Sequence, residues 1–252
     1  MMQFMKIFLA VVLPVTLLIA GSHDDAVSRI ETYTTSGAEN TIVIEDFSTS
    51  TTGQFPKGWG WLDGTRVKKI GEAKAGEVPY TVLEEGGNKY LHADDTGQAI
   101  TIVSDKKWNV KKYPCLSWRW RVKQFPTGAN EKTGGKKDSP ASIYITYYVN
   151  FLGIPKSVKY IWSNELDPCD IFRNEGTGKA TQIVIESGMS KKGVWITETI
   201  NIYDLYKKAF GEKPPDEIAG IAIRTDADHT DSRAIADYDD IVALSDCDGK
   251  CK

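Results

Sequence analysis

The sequence predicts an all-β domain: a two-sheet antiparallel sandwich with one short helix. Three observations carry that prediction. Short apolar stretches are separated throughout by Gly, Pro, Asn and Asp clusters, the spacing of a sandwich or barrel. Two stretches alternate apolar with polar residues at the period of two that a half-buried strand requires. No segment shows the strand–helix rhythm of a parallel α/β fold.

The elements follow in order. Thr41 to Phe47 is the first expected strand, and Gly53 to Gly60 a turn-rich loop. Tyr90 to His92 and Ala99 to Val103 read as short strands. In Leu116 to Val122, Leu116, Trp118, Trp120 and Val122 face one side, and Ser117, Arg119 and Arg121 the other. Ala129 to Ser139 is a Gly/Lys-rich loop. Ile143 to Phe151 sets Ile143, Ile145, Tyr147, Val149 and Phe151 against Tyr144, Thr146, Tyr148 and Asn150. Lys159 to Trp162, Thr181 to Glu186, Val194 to Ile200 and Ile218 to Arg224 complete the strands. Ile202 to Phe210 gathers Ile202, Leu205, Tyr206 and Phe210 on one helical side, and Gly211 ends it.

The chain has 252 residues and a net charge of −3, which argues against a nucleic-acid partner needing a basic face. Lys6 precedes an apolar run from Ile7 to Ala20, followed by Gly21 and Ser22. That order is a secretory signal, and the run is shorter than the roughly 20 residues of a bilayer span. The expected organisation is a signal at 1–22, a polar leader at 23–40, one sandwich domain at 41–246 and a tail at 247–252. No stable membrane span is expected after signal removal, and the destination is the periplasm or the medium.

Export permits disulfides among Cys115, Cys169, Cys247 and Cys251. Cys247 and Cys251 flank Gly249 and could close a small ring, which would leave Cys115 to pair with Cys169. Zinc is disfavoured, since no Cys-x-x-Cys or nearby His pair occurs.

Arg119, Arg121, Tyr144, Thr146, Tyr148, Gln182, Glu186 and Arg224 all fall opposite an apolar row or on a strand edge. Neighbouring strands would gather them on one polar, aromatic sheet face suited to a sugar, or on a merely solvated face with cross-strand ion pairs. Trp162 lies at a strand end and joins the candidate binding set. So do Asp226 and Asp228, from the acidic stretch Arg224-Thr-Asp-Ala-Asp-His-Thr-Asp231 and Ala236-Asp-Tyr-Asp-Asp-Ile241. Its hard oxygens would suit calcium, although the EF-hand pattern is missing; plain turn chemistry also fits. Asp226-x-Asp228-x-Thr230 matches a phosphatase string, but too little chain follows to build that α/β domain. Glu186 and Glu198, on consecutive expected strands, are the candidate carboxylate pair for glycan cleavage. No Gly-x-Ser-x-Gly nucleophile motif occurs.

Several of these segments occur in a familiar order: Leu116 to Val122, Tyr160-Ile-Trp162, Trp195 with Glu198, Asp204 with Phe210-Gly211, Gly220 to Ile223, Thr225 to Thr230 and Ala236 to Ile241. Together they resemble the bacterial domain of unknown function 3047 family over about residues 42 to 244. The resemblance implies an exported bacterial protein and carries no activity with it. Ile44-Glu-Asp-Phe47, Gly58-Trp59 and Tyr238-Asp-Asp-Ile241 are also similar to the first and last strands of lectin-like jelly rolls of the concanavalin or galactose-binding kind. That similarity implies Glu45 and Asp240 as ligands of a structural calcium.

The leading expectation is an exported, non-catalytic protein that binds carbohydrate or envelope glycan through Arg119, Arg121, Tyr144, Tyr148, Trp162, Glu186, Arg224, Asp226 and Asp228. It requires no cofactor and admits a structural calcium. The alternatives are a glycan hydrolase or lyase using Glu186 and Glu198, and a structural envelope protein without a small ligand.

Overall fold

A computed structural model describes residues 40–63, 66–68, 78–98, 100–174 and 180–251. The expected signal, and the leader up to residue 39, lie outside the described residues. The chain forms β1 (Thr41–Glu45), β2 (Gly60–Asp63), β3 (Arg66–Lys68), β4 (Tyr80–Glu85), β5 (Asn88–Asp95), β6 (Thr101–Ser104) and β7 (Cys115–Gln124). There follow β8 (Ala141–Val149), β9 (Pro155–Ser163), β10 (Ile171–Arg173), β11 (Thr181–Ser187), β12 (Ile196–Asn201), α1 (Ile202–Phe210), β13 (Gly220–Arg224) and β14 (Ala234–Leu244). The expected sandwich with one short helix is present.

The first sheet runs β12-β7-β14-β5-β4, with β1 taking a further stretch of β14. The second runs β10-β11-β9-β8-β13-β6-β2-β3. One pair departs from the antiparallel expectation: β11 runs parallel to β9. The segment between them carries β10, which provides the long return that a parallel pairing needs.

The alternating strands put their apolar rows between the sheets. Trp118 and Trp120 are fully buried and meet edge-on, centroids 5.1 Å apart. Trp120 reaches Trp162 across the core at 5.8 Å. Each such ring buries about 150–250 Å², worth roughly 4–6 kcal/mol as an upper bound. Helix α1 begins where Asn201 accepts a hydrogen bond from the Asp204 N–H and ends at Gly211, whose φ of 72° suits glycine.

The strand expected over Ile143 to Phe151 stops at Val149. A register shift between Thr146 and Tyr148 marks where it leaves the sandwich, and Val149 and Phe151 are exposed rather than inward. The second half of the acidic stretch, Ala236 to Ile241, lies in the central strand β14, in keeping with its similarity to the last strand of a jelly roll. Its acids sit opposite basic partners: Arg121 faces Asp237 and Arg119 faces Asp239, with Trp120 facing Tyr238 between them. Asp237, wholly buried, receives Arg121 Nε at 2.8 Å, Lys123 Nζ at 2.8 Å and His92 Nδ1 at 2.7 Å. Asp239, equally buried, receives Arg119 at 2.5 Å and the Asn88 amide at 2.7 Å. Burial pushes the Asp237 carboxyl up, but His92 and Lys123 outweigh it and hold it below its ordinary range.

The disulfides correct the expected pairing. Cys115 bonds Cys247, and Cys169 bonds Cys251, over separations of 132 and 82 residues. No ring closes between Cys247 and Cys251, because residues 247–251 run beside β12. There the Lys250 N–H donates to Thr199 O, and a Cβ on Gly249 would lie 2.7 Å from the Asn201 nitrogen. The two bonds fasten this end to one strand of each sheet's neighbourhood, β7 and the segment before β10.

Two predictions follow from this frame. Asp237→Asn should cost about 3 kcal/mol in denaturant unfolding at neutral pH, since it strands the cations gathered around a buried acid. The folded-state pKa of Asp237 is depressed, so its contribution is present above the unfolded value near 4 and is lost as pH falls through the folded one. The gap between Asp237→Asn and the parent should therefore shrink on acidification below about pH 4; a gap that widens contradicts the assignment. Separately, replacing Cys115 and Cys247 together with alanine should lower stability by roughly 3–5 kcal/mol, read from the denaturant midpoint.

Candidate functional site

The residues expected on one face divide among several places. Arg119 and Arg121 lie on the first sheet's outer face, and Tyr144 and Arg224 on the second sheet's. Strands β7 and β8 are consecutive but belong to opposite sheets, so period-two alternation alone put their outward residues together wrongly. Trp162 is a core residue, fully buried, with Nε1 donating to Gly188 O. Tyr148 lines a hollow of about 180 Å³ with Lys156 and Phe210 at the end of β8.

The first sheet's outer face is knitted together by ion pairs and ring contacts. The half-buried Trp195 lies over Arg119 and Arg121 at 4.7 and 4.6 Å and meets Tyr90 edge-on. Arg119 also holds Asp240 at 2.9 Å, and Arg121 holds Glu85 at 3.0 Å. Here the solvated-face reading with cross-strand pairs describes what the arginines do.

The second sheet's outer face is organised differently. Register aligns Phe172, Gln182, Lys159, Tyr144, Ala222, Val103 and Gly60, one residue from each of seven strands. All project from the side opposite Ile143, Ile145, Ile183 and Ile223, which are in the core. Six strand spacings make this transverse row about 29 Å long. Small residues, Ala222 and Gly60, form one half; Tyr144, Lys159, Gln182 and Phe172 form the other. Arg224 lies one level along, opposite Ser142, and pairs with Asp226 at 2.9 Å and Asp228 at 3.5 Å. Lys159 and Gln182 are almost wholly buried although they face away from the core, with Ser139 of the 129–139 loop standing over Lys159. Two buried polar atoms here have no hydrogen-bond partner, Gln182 Oε1 and Arg224 Nε.

A strut from the other sheet holds this row. Tyr238 crosses the core; its hydroxyl donates to Arg224 O, accepts from the Ser142 N–H at 3.2 Å and contacts Thr225 Oγ1 at 2.8 Å. Tyr80 adds a second, accepting from the Thr225 N–H and donating to Ile100 O. Burial raises the pKa of both phenols, so they remain donors.

Asp138 fastens the loop after β13, accepting from the N–H groups of His229 and Thr230 and from Thr230 Oγ1. Asp138, Asp228 and His229 bring one ligand atom each within 4.8 Å of one another. The acids of the expected calcium cluster do not gather into one shell: Asp226 and Asp228 lie here, while Asp237 and Asp239 lie on the first sheet. Glu45 accepts from the Phe47 N–H and Trp59 Nε1, and Lys106 bridges it to Ile44 O. Thus Glu45 and Asp240 both hold cationic side chains.

Glu186 and Glu198 do approach each other. Their Oε2 atoms share Lys250 Nζ, at 3.4 and 2.7 Å. Burial pushes the Glu198 carboxyl up. It would do the same to Glu186, but hydrogen bonds from Lys191 and the Ser187 N–H, with Lys250, bring that carboxyl down. Diverging carboxyls in proximity are what acid/base work needs. Yet Glu198 is wholly buried on the core side of β12, and Lys250 fills the gap. The larger hollow, about 560 Å³, is lined by Lys250 and by residues of α1, and by neither glutamate.

A family model described as "Protein of unknown function (DUF3047)" matches residues 58–242. No curated protein sequence matches the chain. Among solved structures, the K2 cleaved adhesin domain of Lys-gingipain is similar at 14% identity and a TM-score of 0.39, covering 81% of this chain and 97% of that one. The family 11 carbohydrate-binding module of cellulosomal cellulase Lic26A-Cel5E of Clostridium thermocellum is similar at 11% and 0.40, covering 82% and 95%. The module CBM28, described as specific for non-crystalline cellulose, is similar at 14% and 0.33, covering 73% and 85%. Likenesses this distant carry no argument about a ligand.

The strut yields a test. Tyr238→Phe keeps the ring but strands a buried N–H and hydroxyl, and should cost about 1–3 kcal/mol in unfolding free energy. Amide exchange at Ser142 and Thr225 should accelerate with it; unaltered exchange there would show that the phenol does not hold the row.

Proposed function

We propose that this chain, which belongs to the DUF3047 family, is an exported, non-catalytic protein that binds a glycan chain along the transverse row of its second sheet. The observation that carries this reading is the seven-strand alignment of Phe172, Gln182, Lys159, Tyr144, Ala222, Val103 and Gly60 on the face turned from the core. An extended saccharide suits such a row. Its apolar C–H faces pack on aromatic rings, and its hydroxyls bond amide, ammonium and guanidinium groups. Unpartnered buried groups such as Gln182 Oε1 and Arg224 Nε favour a ligand that completes them.

Export is supported by two disulfides, which form and persist in oxidising compartments. No helix among the described residues is long and apolar enough to cross a membrane. The non-catalytic part of the reading is supported by Lys250, whose ammonium bridges Glu186 and Glu198.

Retention on a panel of immobilised neutral and uronate-containing polysaccharides tests the reading. The parent should bind at least one of them. Tyr144→Ala should weaken that binding about tenfold, equivalent to 1.4 kcal/mol, whereas Trp195→Ala on the opposite sheet should leave it intact. Loss with Trp195→Ala and none with Tyr144→Ala would move the site to the other face.

A further inference from the structure

Lys159 is the charged residue of the row. Its side chain is 5% exposed, in the middle of the second sheet and on the face away from the core. An ammonium has three N–H donors. Among the described residues one has a hydrogen-bond partner, Ser139 Oγ at 3.1 Å, a neutral hydroxyl. Among the described residues no carboxylate forms a direct ion pair with Lys159; the acids in its field are Asp226, which pairs with Arg224 at 2.9 Å, and Glu131, which accepts from Ser163 Oγ at 2.7 Å and leaves Oε1 without a partner. Burial pushes both of those carboxyls up, and Lys159 is among the groups that pull them back down. A buried cation with open donors and no direct ion pair is costly, and an anion that reaches those donors offsets the cost.

The neighbours fit an acidic sugar. Arg224 Nε is a second buried donor without a partner. Gln182, beside Lys159 in register, offers an unused acceptor oxygen that a sugar hydroxyl can bond. Tyr144, on the other side of Lys159 in register, has its ring 5.6 Å from the ammonium.

We propose that the row selects a carboxylate-bearing saccharide, a uronate, whose carboxylate pairs with Lys159 while Gln182 and Tyr144 hold the ring. The inference rests on the reading of the row as a glycan-binding face and adds the class of glycan. It makes Lys159 the residue that determines specificity and Tyr144 a general contact.

Calorimetric titration with alginate oligosaccharides and with cello-oligosaccharides separates the two layers. The parent should prefer alginate by at least about tenfold. Lys159→Met, which keeps the length and removes the charge, should abolish that preference; Lys159→Arg should keep most of it. Raising NaCl from about 0.05 to about 0.5 M should weaken alginate binding and leave cello-oligosaccharide binding unchanged, a readout that needs no variant. Equal affinity of the parent for both sugars, or alginate binding indifferent to salt, overturns the uronate assignment. In that case a loss with Tyr144→Ala still upholds the row as a glycan site. If Tyr144→Ala alters neither titration, the row itself is wrong and the uronate assignment falls with it.

Discussion

Across β7 and β14, Arg121 faces Asp237 and Arg119 faces Asp239, while Trp120 faces Tyr238 on the opposite side of the sheet. A slip of one residue would put charges in the core and rings in water, so this double pairing fixes the register of the two central strands. The rest follows from that register. Trp120 reaches Trp162, and Tyr238 delivers its hydroxyl to the backbone of Ser142, Arg224 and Thr225 in the other sheet. An electrostatic match on one outer face thereby positions the candidate site on the other.

The two outer faces show how differently polar residues can be used. On the first sheet, acids and arginines neutralise one another, and Trp195 lies over the guanidinium groups. Charge there is spent on holding strands together. On the second sheet, Lys159, Gln182 and Arg224 are packed tightly but left with open hydrogen-bonding capacity. Burial without satisfaction is expensive for a fold and useful for a ligand. Lys250 gives a further case within the sandwich, where a lysine bridges two carboxylates, one of them the buried Glu198.

Much of the fold was legible because alternation is a local signal. Leu116 to Val122 faces inward and outward as its pattern requires, and α1 spans the residues its periodicity and Gly211 mark out. The site was legible only in part. Alternation tells which residues point away from a core but not which sheet a strand joins, so Arg119 and Arg121 were grouped with Tyr144 and Arg224. Lys159 and Phe172 became visible only through register between strands distant in sequence. The pairing of Arg-Trp-Arg with Asp-Tyr-Asp was within reach of the sequence: complementary charges at matching two-residue spacing, each flanking an aromatic residue, signal neighbouring strands. Asp is rare in strands, so propensity does not mark β14; the jelly-roll similarity of Tyr238 to Ile241 does.

The central claim is spatial, that ligand lies across the second sheet and not on the first. Backbone amide chemical-shift mapping during titration with alginate oligosaccharide tests it most directly. Perturbations should concentrate at Phe172, Gln182, Lys159, Tyr144 and Ala222, one stripe across five strands, with Arg119, Arg121 and Trp195 unmoved. Perturbations centred on Arg119 and Trp195, or on Lys250 and the hollow beside α1, would contradict the account.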